Sequence, residues 1–457
     1  MATDIPQALI SWPSAPLTDS LVRNALDSLG KSFSIISGSG SRNANGDLLQ
    51  WSTYDEIDHD LTYSPPDSTK VLSSSYVIRK ALIRKHYLSR CIHNYLIKHQ
   101  GSILEHHVPK TWELELSFAD ELDEMWSDDL WDLGAELDNP ESKKWWILKP
   151  GMADRGMGIR LFHTKEELVD IFESFEEDSD EEAEQGNQNT AVVTSQLRHF
   201  VIQEYLADPL LLDPSEVPLD QGVAPTVNNL RGHKFHLRAY CVASGALNVF
   251  LYTRVLALFS SSPYRSPSAG DEGSGSAMTL NNDLSAHLTN TSLQTERGEA
   301  GVRLLDELAG CHILGSSNAD ATTPLLFTSH DLEDIKSQMC DVLGETFKAS
   351  LEMSIHFQPL PNAFELFGID FLVTHNQTTS GQKFQVQLLE VNSEPAIELT
   401  GPRLTWILQD LFKAIAKTCV EPFFHPGDER TPEWPLGEER HHLRKCLEVE
   451  VRGSAGW

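Results

Sequence analysis

The chain reads as an α+β protein with a largely antiparallel sheet in its C-terminal half, and three observations predict this. Apolar runs of strand length, rich in β-branched and aromatic residues, recur at 145–148, 191–193, 200–202, 237–242, 247–251, 364–373 and 384–391. Helical periodicity appears at 165–175, 329–354 and 402–416, set apart from the strands rather than alternating strictly with them. With 457 residues, the chain can bury a large core and divide into two or three lobes.

From the N-terminus, residues 17–29 have an amphipathic helical pattern and 32–36 a strand pattern, ahead of turn signals at Gly38–Ser41 and Ser64–Asp67. Residues 79–98 carry six Lys or Arg and no acid, with apolar residues near helical spacing. They read as a basic amphipathic helix, either a solvated face or a counter-surface for an acidic ligand. Residues 113–141 reverse the sign, with no Lys or Arg, and read as helices that dock by Leu116, Leu122, Trp126 and Leu130 and expose acid outwards. Four stretches read as loop or disorder: 173–190, 213–229, 260–277 and a polar tail, 425–457. The expected organisation is an N-terminal domain at 1–78, a central lobe at 79–195, a C-terminal lobe at 196–424 and the tail.

Acids outnumber bases, 67 Asp and Glu against 36 Lys and Arg, for a net charge of −31. Such a balance argues against direct nucleic-acid binding and against adhesion to anionic membranes. The six cysteines are widely spaced and form no metal-ligand pattern, which places the chain in a reducing, cytoplasmic compartment. His106–His107 and His441–His442 are doublets whose side chains point apart, not a metal site.

Five segments carry chemistry. In Trp146–Ile159 a strand delivers Lys149 into a glycine-bearing loop with Arg155, where backbone N–H groups and two cations can approach phosphate. In 364–371 and 388–395, Glu390 and Asn392 share a strand face, and Asp370 joins them if the strands pair. This hard-oxygen set suits Mg²⁺. Residues Gln203, Glu204, Tyr205 and Leu206 end a strand and can offer backbone groups to a base edge. Alternation puts Lys234, His236 and Arg238 on one strand face, as a solvent face or an anion site. His287–Asn290 is a compact polar patch without a reading of its own.

Taken in order, these segments resemble the motifs of the tubulin–tyrosine ligase family, over roughly residues 79–415, with the look of a fungal-type member. The resemblance implies an ATP-grasp fold, with ATP held between two lobes over an antiparallel sheet. It implies that Lys149, Arg155 and Lys234 serve the phosphates, that Gln203–Leu206 line the adenine pocket, and that Asp370, Glu390 and Asn392 hold Mg²⁺. Arg238, His287 and Asn290 would lie at the reacting end. The family's chemistry converts a peptide carboxylate to an acyl-phosphate, which a free amino acid then attacks. The implied acceptor is a peptide or protein C-terminus or acidic tail, tubulin among the possibilities.

This chain departs from the family pattern at three places. His236 stands where the family has an acid, Glu204 where Lys is common, and Leu258 where an Arg reaches the reactive phosphate, unless Arg254 replaces it. The resemblance therefore also admits a catalytically weak nucleotide-binding interaction module in a cytoplasmic processing-body assembly for mRNA turnover.

Overall fold

The computed structural model describes residues 5–36, 43, 46–151, 158–185, 198–219, 225–267, 284–289, 299–315, 325–376, 381–426 and 433–451. Arg155, Asn290 and the expected strand at 191–193 lie outside them, as does most of the expected loop at 260–277.

The N-terminal segment builds a parallel sheet in the order β2-β1-β3-β4, from β1 (Gln7–Leu9), β2 (Ser34–Ile36), β3 (Leu48–Gln50) and β4 (Val71–Ser73). Helix Pro16–Asp27 crosses between the first two strands. Pro16 pre-sets its first turn and Asp19 meets the positive end of its dipole. Its buried face, Leu21, Val22, Ala25 and Leu26, packs with Phe412 and Ile415 of helix Thr405–Ile415. A buried ion pair between Arg79 and Glu365 ties the end of this segment to the large sheet, with Arg79 also over the Tyr54 ring.

The second sheet is antiparallel, in the order β5-β8-β6-β7, from β5 (Thr111–Glu115), β6 (Trp146–Pro150), β7 (Arg160–Phe162) and β8 (His199–Glu204). Alternation divides β6: Trp146 and Leu148 join the core under helix Lys165–Gln185, while Ile147 and Lys149 face the other way, into a cavity. The acidic stretch at 113–141 begins as strand β5, not helix, before the short helices Leu122–Met125 and Trp131–Leu137. Helix Lys165–Gln185 also runs into the acidic stretch expected to be loop, because Glu and Ala there are good helix formers.

The third sheet centres on β10 (His233–Ser244). On one side lie β14 (Phe364–His375) and then β15 (Phe384–Ser393). On the other, β12 (Leu256–Phe259) pairs with its first half and β11 (Asn248–Tyr252) with its second. Strands β9 (Leu211–Leu212) and β13 (Val302–Leu304) extend it, and all these pairings are antiparallel, as expected. Helix Ser329–Leu351 covers one face and Thr405–Ile415 the other. Within β10, Phe235, Leu237, Ala239 and Cys241 go to the core under helix Ser329–Leu351, while Lys234, His236 and Arg238 line the cavity.

The reading of 425–457 as a polar tail does not hold. Strands β16 (Glu439–Arg440) and β17 (Leu443–Glu448) join the large sheet, with β17 paired along β11. Leu443 and Leu447 are buried there, so two apolar side chains anchor a stretch whose average composition is polar.

The basic segment divides into Lys80–Ile83 and Lys85–Lys98. Its inner face, His86, Leu88, Cys91, Ile92 and Tyr95, is buried. Its cations are largely matched: Lys85 with Glu390, Arg90 with Glu113 and Lys98 with Glu352. All six cysteines are free thiols, five of them buried. No helix among the described residues is long and apolar enough to cross a membrane.

Candidate active site

A cavity of about 550 Å³ opens between the second and third sheets. Every described candidate site residue lines it: Lys149, Gln203, Glu204, Tyr205, Leu206, Lys234, Arg238, His287, Asp370, Glu390 and Asn392.

The oxygen-rich end comes from β14 and β15. Gly368 pairs with Asn392 and Asp370 with Glu390, and a register shift follows immediately after Asp370. Asn392 Nδ2 lies 3.2 Å from Glu390 Oε1 and 3.4 Å from Asp370 Oδ2, so the three donors converge. Gly368 leaves room for Pro395, just beyond β15, since a Cβ there would stand 2.8 Å from Pro395 Cβ. Arg238, directly across from Asp370 on β10, binds it in bidentate fashion at 2.5 and 2.9 Å. Lys85 Nζ sits 3.0 Å from Glu390 Oε2. Burial works against the charge on Glu390, but Lys85 and Lys149 outweigh it and hold the carboxyl far below its usual range. Two carboxylates gathered beside an amide side chain fit a hard divalent cation such as Mg²⁺.

The cationic wall is desolvated. Lys149 Nζ donates to Gln203 Oε1 at 2.6 Å, and Gln203 Nε2 donates to Thr111 Oγ1 at 3.1 Å, so Gln203 fixes the lysine. Burial lowers the Lys149 amine to about 8, with Lys85 adding to the effect and Glu390 opposing it. Burial, with Lys149, lowers Lys234 to about 7. Lys234 Nζ donates to the Tyr205 hydroxyl at 3.3 Å and stands 4.4 Å from its ring centroid. Two amines with so little solvent and so few carboxylates form an anion site of the kind phosphate oxygens complete.

At the strand end, Tyr205 N–H donates to Trp145 O and Glu204 N–H to Lys110 O, so these two groups serve the sheet rather than a ligand. His287, expected at the reacting end, has Nδ1 at 2.9 Å from the Tyr205 hydroxyl. Glu204 lies 3.5 Å from Lys144, so a cation from the segment just before β6 stands beside it.

Leu258 pairs with His236 across the β10–β12 ladder and lines the cavity. Arg254 does not replace the missing arginine. It is bound to Asp410, donates to His442 Nε2 and stacks over Trp406. Lys85 is a site residue that the sequence shows only as part of the basic segment, a solvated face or a counter-surface for an acidic ligand. Its signal was its place at the start of a basic helix, but only the packing of that helix on β8 brings it to Glu390.

These features define an ATP-grasp protein: a nucleotide-sized cleft between two antiparallel sheets, with Lys149 from one sheet and Lys234, Arg238 and the oxygen donors from the other. The profile of the tubulin-tyrosine ligase family matches residues 74–428, and the chain belongs to that family. It is 37% identical over 428 residues to "Probable tubulin--tyrosine ligase C12B10.04" of Schizosaccharomyces pombe, covering 90% of this chain and 91% of that protein. It is 35% identical over 399 residues to "Probable tubulin--tyrosine ligase PBY1" of Saccharomyces cerevisiae, covering 84% of this chain and 47% of that protein. Among solved structures, it resembles the C-terminal domain of K. lactis Pby1, described as an ATP-grasp enzyme interacting with the mRNA decapping enzyme Dcp2. The TM-score is 0.63 at 29% identity, covering 98% of this chain and all of that one.

Proposed function

We propose that this protein is an ATP- and Mg²⁺-dependent ligase that joins an amino acid to a peptide or protein carboxylate. The observation that carries the reading is the gathering, in one cavity, of Lys149, Lys234 and Arg238 with Asp370, Glu390 and Asn392. Asp370, Glu390 and Asn392 would hold Mg²⁺, which supplies charge neutralisation to the phosphoryl group in transfer. Lys149 and Lys234 bind the phosphates. Gln203 orients Lys149, and Tyr205 and Leu206 bound the base. Arg238, already seated on Asp370, steers the carboxylate oxygen towards phosphorus. The acceptor carboxylate then takes the γ-phosphoryl group with release of ADP. The amine attacks the acyl carbon, phosphate leaves, and the amine gives up a proton. No side-chain nucleophile is required. Phosphate release that depends on both an added amino acid and an acceptor peptide is the test. Release indifferent to both would count against transfer.

Leu258 favours a second reading. An apolar side chain stands where the family places a cation, and Arg254 is committed elsewhere. With the Dcp2 interaction described for the K. lactis relative, this supports a cytoplasmic nucleotide-binding module in an mRNA-decapping assembly. ATP binding without amino-acid-dependent turnover would select it. The matching of Arg90 and Lys98 by acids leaves the basic helix with less to offer an acidic tubulin tail than its composition promises.

A further inference from the structure

A second cavity, of about 340 Å³, lies between the N-terminal parallel sheet and the large sheet. It sits at the carboxyl ends of β1 and β3. Residues 12–15 of its lining belong to the connection leaving β1, and residues 51–53 to the one leaving β3. In the order β2-β1-β3-β4 these neighbours send their connections to opposite sides, β1 to β2 and β3 to β4. In open parallel sheets that divergence leaves a crevice in which ligands bind.

The lining says which ligand. Its walls are aromatic: Trp12 Nε1 donates to Trp51 O at 3.0 Å, and the Trp51 ring meets Phe364 edge-on at 5.4 Å and stacks on Phe412 at 6.0 Å. Its rim is acidic, with Asp55, Glu56, Glu394 and Glu398 all exposed. Glu56 accepts from the Ser11 hydroxyl, Glu394 from the Thr53 hydroxyl and Tyr54 N–H, and Glu398 from the Thr18 hydroxyl. Among the described residues, none of the four is in an ion pair. The one cation of the described lining, Arg79, is taken by Glu365. The positive end of helix Pro16–Asp27 also reaches the cavity, but Asp19 lies in its first turn and Glu398 is bound to Thr18 there. An uncompensated negative rim repels a carboxylate ligand. Set over aromatic faces, it attracts an organic cation, because the ring quadrupoles add to the carboxylates.

We propose that this cavity binds an organic ammonium group on an apolar stem, with the ammonium at the carboxylate rim and the stem against Trp12 and Trp51. Glu394 and Glu398 line both cavities, so the bound cation stands at the passage between them. This rests on the second cavity alone and not on the nucleotide reading. Two sources carry the chemistry: a lysine side chain within a protein, and a free alkylamine. The full chain, without nucleotide, is titrated with N-acetyl-lysine methylamide, butylammonium and the uncharged N-acetyl-norleucine methylamide, and binding is followed by ligand-observed NMR. The capped lysine should bind about tenfold more tightly than the capped norleucine. Butylammonium binding as tightly as the capped lysine assigns the site to a free amine, and weaker binding to a protein side chain. The preference for charge should shrink in Trp12→Leu and in Asp55→Asn combined with Glu56→Gln, two exposed positions that keep the test open should the tryptophan variant not fold. Equal binding of the charged and uncharged compounds, binding of neither, or a preference that survives both sets of substitutions overturns the proposal.

Discussion

Lys149 and Lys234 are amines held far below their ordinary range by burial, at about 8 and about 7. Between those values and about 10.5, the unfolded chain holds more protons than the folded one, so these residues make the ligand-free protein gain stability as pH rises through that window. Phosphate oxygens reverse the preference by restoring the charged amines. Binding of Mg·ATP at pH 8 should therefore take up on the order of one proton. Calorimetry in buffers of different ionisation enthalpy reads this directly, and proton release would mean that the phosphates do not meet these lysines. The Arg79–Glu365 pair is a second case of buried charge. Arg79→Leu leaves a carboxylate with no counter-ion and should cost about 3–5 kcal/mol in denaturant unfolding. Adding Glu365→Gln should recover much of that loss. An additive double variant would show the two charges to be uncoupled.

At the scale of elements, β17 makes the sharpest claim. Deleting residues 433–451 exposes the edge of β11 and removes Leu443 and Leu447 from the core. At about 1.5–3 kcal/mol for each buried aliphatic side chain, the truncated protein should melt well below the full chain. An unchanged melting temperature would restore the tail reading. The error in that reading was one of averaging, because two leucines at strand spacing carry the pairing within a polar stretch. The long strands β10, β14 and β15 were legible because they are largely apolar runs, in which Lys234, Arg238, Asp370, Glu390 and Asn392 turn to the cavity. The N-terminal parallel sheet was not, since β3 and β4 are three residues each and take their partners from far along the chain. Lys85 was legible as a cation but not as a partner of Glu390, because that contact is made by helix packing and not by spacing. The contact of His287 with Tyr205 was not legible for the same reason: its motif gives proximity to the site, and only the fold brings the two side chains together.

For the whole molecule, the account requires that the two sheets close on a nucleotide. A ligand bound only by the native state stabilises it by about 2.7 kcal/mol at a hundred times its Kd. Mg·ATP should raise the melting temperature accordingly, and Glu390→Gln should remove most of the Mg²⁺ dependence. An equal shift with ATP in excess EDTA would displace Asp370, Glu390 and Asn392 from the proposed metal role. Binding alone, however, is common to both functional readings. The measurement that separates them is covalent. The full chain is incubated with Mg·ATP, a mixture of isotope-labelled amino acids and a protein extract depleted of other ATP-grasp enzymes, and the proteins are then examined by mass spectrometry. The account predicts label joined through a new amide to a peptide carboxylate, dependent on ATP and absent with Glu390→Gln. Tight Mg·ATP binding with no ATP-dependent label in any protein would contradict it.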